Sequence, residues 1–204
     1  MPTTEAEPRR AFGDYGKRKA AIEAFLLEQS RSLALRVTIL HPGHLVGPGW
    51  APINPAGNFN PQVFSQLLQG RPVQLPNIGM ETLHHVHADD VAQCFQRAVE
   101  RGNAALGESF HVVSPAALTL RGYAERVGGW VGRPAQLEFL PWEEWRQGAT
   151  AKDAAVTWDH ISHSPNCSIA KARKLLGYEP RHSSLAALRE SVDWLIEHGL
   201  VHAG

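Results

Sequence analysis

Between residues 41 and 49 the chain reads His41-Pro-Gly-His-Leu-Val-Gly-Pro-Gly49, with two prolines and three glycines in nine residues. Proline removes a backbone donor and glycine weakens regular elements, so the spacing predicts an irregular loop. What precedes it sets the class of fold. Leu35-Arg-Val-Thr-Ile-Leu40 alternates apolar and polar side chains as a strand does. From Tyr15 to Ser30 the pattern is helical: Ile22, Phe25, Leu26 and Gln29 recur at spacings of three and four, with small Ala20, Ala21 and Ala24 between them. A helix, then a strand, then a Gly/Pro loop implies α/β architecture.

The rest of the chain extends that reading. Residues 1–13 are polar and turn-like. A short helix is expected over 62–69, and strands over Thr82–Val86, Ser109–Val113 and Ala135–Leu140. Asp89 is placed to cap a helix running from Val91 to Glu100. Thr119 starts another helix that Gly132 ends. Ser168 starts one that Gly177 stops, with Pro180 just beyond. Ser184 opens the last helix, which carries Leu185, Leu188, Val192, Leu195 and Ile196 and ends at Gly199.

Composition excludes several function classes. Twenty basic residues balance twenty acidic ones, so the basic excess of a nucleic-acid binder is missing. No run reaches the roughly 18 apolar residues that span a bilayer, and the first ten residues lack the apolar core of a signal peptide. Cys94 and Cys167 are the only cysteines, too few for a disulfide scaffold. A cytoplasmic protein is expected.

Five landmarks then fall in a familiar order. Tyr15-Gly-Lys-Arg-Lys19 matches a Tyr-x-x-x-Lys motif, preceded by Pro2-Thr-Thr-Glu5 and followed by Glu23. Alone it would mean little, since such a motif arises by chance in about a third of chains this long. Next come the 41–49 loop, Val86-His-Ala-Asp-Asp-Val-Ala92, and Lys171-Ala-Arg-Lys-Leu-Leu-Gly-Tyr-Glu-Pro180. Together they resemble the extended short-chain dehydrogenase/reductases, the NAD-dependent epimerase/dehydratase family, and span nearly the whole chain. His41 stands where that family usually has arginine.

The resemblance implies a fold: part of a Rossmann-type doubly wound sheet plus a small C-terminal α/β substrate lobe. Residues 1–50 would be the remnant of the nucleotide-binding domain. Residues 51–204 would mix the substrate lobe with the last strands and helices of that domain. It also implies roles. Residues four apart on a helix share a face, so the Tyr15 phenol and the Lys19 ammonium can lie side by side. An ordinary phenol titrates too high to serve as a base at neutral pH, and a nearby cation favours the phenolate. By resemblance Tyr15 moves the substrate proton, Lys19 bonds the nicotinamide ribose, and Pro42, Gly43 and His44 lie beside the ring of NAD or NADP. Asn58 and Phe59 resemble a substrate contact. The substrate would be a small molecule, possibly a sugar or nucleotide sugar, although Gly79–His85 lacks the arginine usual in nucleotide-sugar members. The Tyr15–Ser30 helix resembles the one such enzymes use to form homodimers.

Two departures stand out. No Gly-x-x-Gly-x-x-Gly loop follows a first strand to hold a pyrophosphate. Only fourteen residues precede Tyr15, too few to hold the family's catalytic Ser or Thr. The expectation is a C-terminal part without its dinucleotide-binding half and inactive alone, whether a fragment, a mis-called start or one half of a split protein. The alternative is a non-catalytic substrate-binding or regulatory module.

Other clusters read as structural. His84, His85 and His87 beside Asp89 and Asp90 complete no familiar metal spacing, and no metal is expected. The pairs His160/His163 and His198/His202 are expected to be solvated. Cys94 reads as a small buried residue, and Trp142, Trp145 and Trp158 as lobe packing.

Overall fold

A computed structural model describes residues 2–8, 10–32 and 35–204. Met1 and Arg9, within the polar stretch expected over 1–13, lie outside these residues. Helix α1 (Gly13–Arg31) and strand β1 (Ile39–Pro42) come first, followed by β2 (His44–Val46) and α2 (Gln62–Leu68). Then come β3 (Val73–Pro76), β4 (Thr82–Leu83), β5 (His85–His87), α3 (Ala88–Arg101), β6 (Ser109–Val112) and β7 (Leu118–Thr119). The chain closes with α4 (Leu120–Gly129), β8 (Leu137–Leu140), α5 (Trp142–Gly148), α6 (Ala151–Ile161), α7 (Ala170–Leu176) and α8 (Ser184–Glu197).

Three strand pairs are parallel: β1 with β6, β2 with β5, and β3 with β8. The pair β4 with β7 is antiparallel. Parallel pairs need covering helices on both faces, and two apolar cores supply that cover. Val86, Cys94, Phe110, Val112, Leu176 and Tyr178 pack α3 and α7 against β5 and β6. Ile53, Phe64, Leu75, Leu120, Tyr123, Trp145, Leu188 and Leu195 form the second core, shared by α2, α4, α5 and α8. This is a partial Rossmann-type sheet with an attached α/β lobe. Strand β1 keeps β6 on one edge and has no second strand neighbour among the described residues. Unlike the buried β6, it is only half-covered.

The 41–49 segment is more regular than its composition suggests. His41 and Pro42 close β1, and His44–Val46 forms β2. Proline fits there because an edge position needs no donor. The expected strand over 35–40 begins only at Ile39, and that over 82–86 breaks at His84 into β4 and β5. Helix α3 is capped by His87 rather than by Asp89: the His87 ring accepts the Asp89 N–H at 3.1 Å. Thr119 caps α4 as expected, accepting from Gly122 N–H at 3.0 Å, and Gly177 ends α7 at φ 69°.

Candidate active site

Tyr15 and Lys19 stand one turn apart on α1. The Lys19 ammonium lies 5.6 Å from the centre of the Tyr15 ring, within cation–π reach. They line a groove of about 560 Å³ between α1 and β1, with Arg10, Glu23, His41 and Pro42 along its walls. The groove is open: Tyr15 is 76% exposed. Of the residues assigned to a nicotinamide site, Tyr15, Lys19 and Pro42 therefore meet in one place.

Gly43 and His44 are drawn elsewhere. The Gly43 N–H donates to Val112 O at 3.0 Å. A Cβ at Gly43 would sit 2.4 Å from the His84 carbonyl and 3.0 Å from Val113. The missing side chain is thus already required by the packing of the strands. The ring of His44 turns inward, 5.8 Å from His85 and 4.9 Å from His160. Burial, and then the neighbouring His160 and His84, push the His44 pKa down to about 4. His85 is driven well below the ordinary histidine value, chiefly by burial and next by His44. Neither ring nitrogen of His85 has a hydrogen-bond partner. His44 and His85 are therefore neutral at physiological pH.

Asn58 and Phe59 join that second region. Asn58 is buried, and its amide serves the loop: Oδ1 accepts from Asn54 Nδ2 at 2.7 Å and from Asn60 N–H at 3.0 Å. Its Nδ2 donates to Thr157 Oγ1 at 3.0 Å. Phe59 is half exposed and meets the His160 ring edge-on at 5.7 Å. His160 itself, expected in solvent, has its Nδ1 2.8 Å from the Gly57 carbonyl, because α6 lays it under the 53–60 loop. His163 and His198 are exposed, each bonded to a carbonyl of the helix it follows. Sequence reasoning missed α6 altogether. Thr150, whose hydroxyl accepts the Asp153 N–H at 3.0 Å, was the available signal.

Among the described residues one trio, His87, His182 and Glu190, brings possible ligand atoms within 4.8 Å of one another. The chemistry does not suit a metal. His87 Nδ1 accepts the Asp89 N–H, so the neutral ring carries its proton on Nε2, which donates to Glu190 Oε2 at 3.2 Å. A metal needs that nitrogen bare. Asp90, fully buried, accepts from the Arg181 and His182 amides at 2.7 and 3.1 Å. The group latches α3 to the segment that enters α8.

Parallel strand pairs covered by helices on both faces define a partial Rossmann-type α/β fold. Residues 1–112 match the NAD dependent epimerase/dehydratase family, and the chain belongs to it. In fold it is similar to a UDP-glucose 4-epimerase from Thermotoga maritima solved with UDP-glucose (22% identity, TM-score 0.70, covering 97% of this chain and 58% of that one). It is also similar to a UDP-glucuronic acid 4-epimerase from Bacillus cereus in complex with NAD (19%, 0.71, 98% and 57%). A third likeness is a dTDP-glucose 4,6-dehydratase from Bacillus anthracis in complex with NAD (17%, 0.71, 97% and 56%). The chain thus spans under three-fifths of the length of these relatives. No curated protein matches it.

Proposed function

We propose that this chain is the proton-transfer and substrate-side half of an NAD(P)-dependent epimerase, dehydratase or reductase, completed by a dinucleotide-binding half. The observation that carries the reading is the groove that gathers Tyr15, Lys19 and Pro42 beside the edge of β1 that no strand covers among the described residues. A tyrosine, a lysine and an apolar proline wall suit the nicotinamide-ribose end of the cofactor. Nothing in the chain resembles a pyrophosphate loop. NAD(P) supplies the hydride acceptor or donor. Tyr15 takes or returns the proton at a substrate hydroxyl or carbonyl oxygen, and Lys19 bonds the ribose hydroxyls and holds a positive charge beside the phenol. Residues 1–50 are then the remnant of the nucleotide-binding domain, and 51–204 combine its last strands and helices with the substrate lobe.

The substrate class this reading favours is a sugar or nucleotide sugar, and the compartment the cytoplasm. No described helix is long and apolar enough to cross a membrane. The outer face of α1, with Ile22 and Phe25 more than half exposed, is the surface for a homodimer. Sedimentation of Phe25→Glu against wild type tests that contact. A second reading, a non-catalytic binding module, draws on the exposure of Tyr15 and on the structural use of Asn58. Thermal melts with NAD(H) and NADP(H), with and without a dinucleotide-binding half from a family member, separate the two. An enzyme half gains several degrees only when the complement is present, by mass action on the assembled state. A binding module gains nothing in either condition.

A further inference from the structure

Between the 53–60 loop, α2, β3, β8 and the corner from α5 to α6 lies a cleft of about 320 Å³ that shares no wall residue with the Tyr15 groove. Its volume falls at the low end of small-molecule clefts and suits one sugar-sized ring. Buried Val63 and Val73 form part of an apolar floor. Trp145 joins them, and its indole N–H donates to Gln74 O at 3.0 Å, which fixes the ring as a wall. Asn58 also lines the cleft, but its amide is committed to Asn54, Asn60 and Thr157.

The other polar groups have capacity left. Gln66 on α2 and Asp153 on α6 are half-buried, and among the described residues no hydrogen bond engages the side chain of either. Asn60 Oδ1 accepts the Gln62 N–H at 3.0 Å, which leaves its Nδ2 free to donate. Glu138 Oε2 accepts from Gln74 Nε2 at 2.9 Å, which leaves its other oxygen open. Thr150 Oγ1 accepts the Asp153 N–H at 3.0 Å and keeps its own proton to donate. Two carboxylates line the cleft, with no lysine, arginine or histidine among its walls. An anion entering it would meet like charge at short range.

We propose that this cleft is a binding site for a neutral or amino sugar, separate from the Tyr15 groove and closed to the diphosphate of a sugar nucleotide. A sugar hydroxyl both donates and accepts. Asp153 and Glu138 accept from such hydroxyls, while the Asn60 and Gln66 amides and the Thr150 hydroxyl donate to them. Trp145 offers the C–H face of the ring a flat apolar surface. An ammonium in place of one hydroxyl gains charge-assisted bonds to the carboxylates. The site does not depend on the chemistry assigned to Tyr15 and Lys19, and the two stand or fall separately.

The test titrates the nitrogen-15-labelled chain with D-glucose, D-glucosamine and D-glucuronate to about 50 mM, enough to read millimolar dissociation constants. Glucose and glucosamine are expected to move the side-chain amide signals of Asn60 and Gln66 and the indole signal of Trp145. Glucosamine should bind about threefold more tightly than glucose, and glucuronate should leave the signals in place. Asp153→Asn keeps an acceptor but not the charge, so it should retain glucose binding and lose the preference for glucosamine. Gln66→Ala should weaken both sugars about fivefold; if it fails to fold, Asp153→Asn decides alone. Signals unmoved by glucose and glucosamine, glucuronate binding as well as glucose, glucosamine binding no tighter than glucose, or an unchanged preference in Asp153→Asn overturns the proposal.

Discussion

The Lys19 ammonium lies 5.6 Å from the centre of the Tyr15 ring, on a face of α1 that leaves the tyrosine 76% exposed. A residue so exposed contributes little to folding, so its substitutions separate chemistry from stability. Tyr15→Phe and Lys19→Ala are expected to change unfolding free energy by no more than about 0.5 kcal/mol. In the assembled enzyme each should lower turnover by at least about 100-fold. Urea unfolding and steady-state rates on the same preparations check both halves of the statement.

Asn58 behaves in the opposite way. Its amide bonds Asn54, Asn60 and Thr157 inside the fold, and removing it leaves buried partners unpaired. Asn58→Ala should cost about 2–3 kcal/mol of stability, read as a lower urea midpoint. Thr157→Val should reproduce part of that loss. A substrate contact alone would instead raise KM and leave the midpoint unchanged.

Gly43 is held by packing. An added methyl would meet the His84 carbonyl at 2.4 Å, and backbone cannot step aside as a flexible side chain can. Gly43→Ala is expected to destabilise by about 3 kcal/mol or to prevent folding, before any cofactor is added. Circular dichroism of the purified variant is sufficient to show it.

How much of this was legible in the sequence divides along the same residues. The helix around Tyr15, the caps at Thr119 and Gly177 and the last helix are local patterns, and the structure reproduces them. The strands inside the 41–49 segment were hidden because proline and glycine punctuate the chain without saying which edge they face. Here His44–Val46 pairs with β5 across some forty residues of sequence. His160 was hidden for the same reason: only the fold places its ring 4.9 Å from His44. The Tyr15–Lys19 pair was readable because one helix turn suffices to bring it together. The contact of Glu23 with His41 was not, since it joins two different elements.

The neutral histidines set an acid limit. His44 titrates near 4 in the folded chain, and His84 and His85 are lowered as well. Folded values below the unfolded one mean that the unfolded chain takes up protons first. Stability is therefore complete above about pH 6.5 and declines as pH falls toward 4. His44 alone contributes on the order of 3 kcal/mol to that decline. Urea midpoints measured across this range should drop steadily, and His85→Phe, which removes one buried titrating ring, should make the slope shallower.

The central claim, that this chain holds the proton-transfer machinery and lacks the cofactor-binding half, is tested most directly by complementation. The purified chain is incubated with sugar nucleotides and NAD(H) or NADP(H), alone and mixed with the dinucleotide-binding half of a family member, and conversion of the sugar nucleotide is followed by chromatography. The expected result is no turnover alone, turnover in the mixture, and loss of that turnover with Tyr15→Phe. Turnover by the chain alone, a mixture indifferent to Tyr15→Phe, or silence in both arms would contradict it.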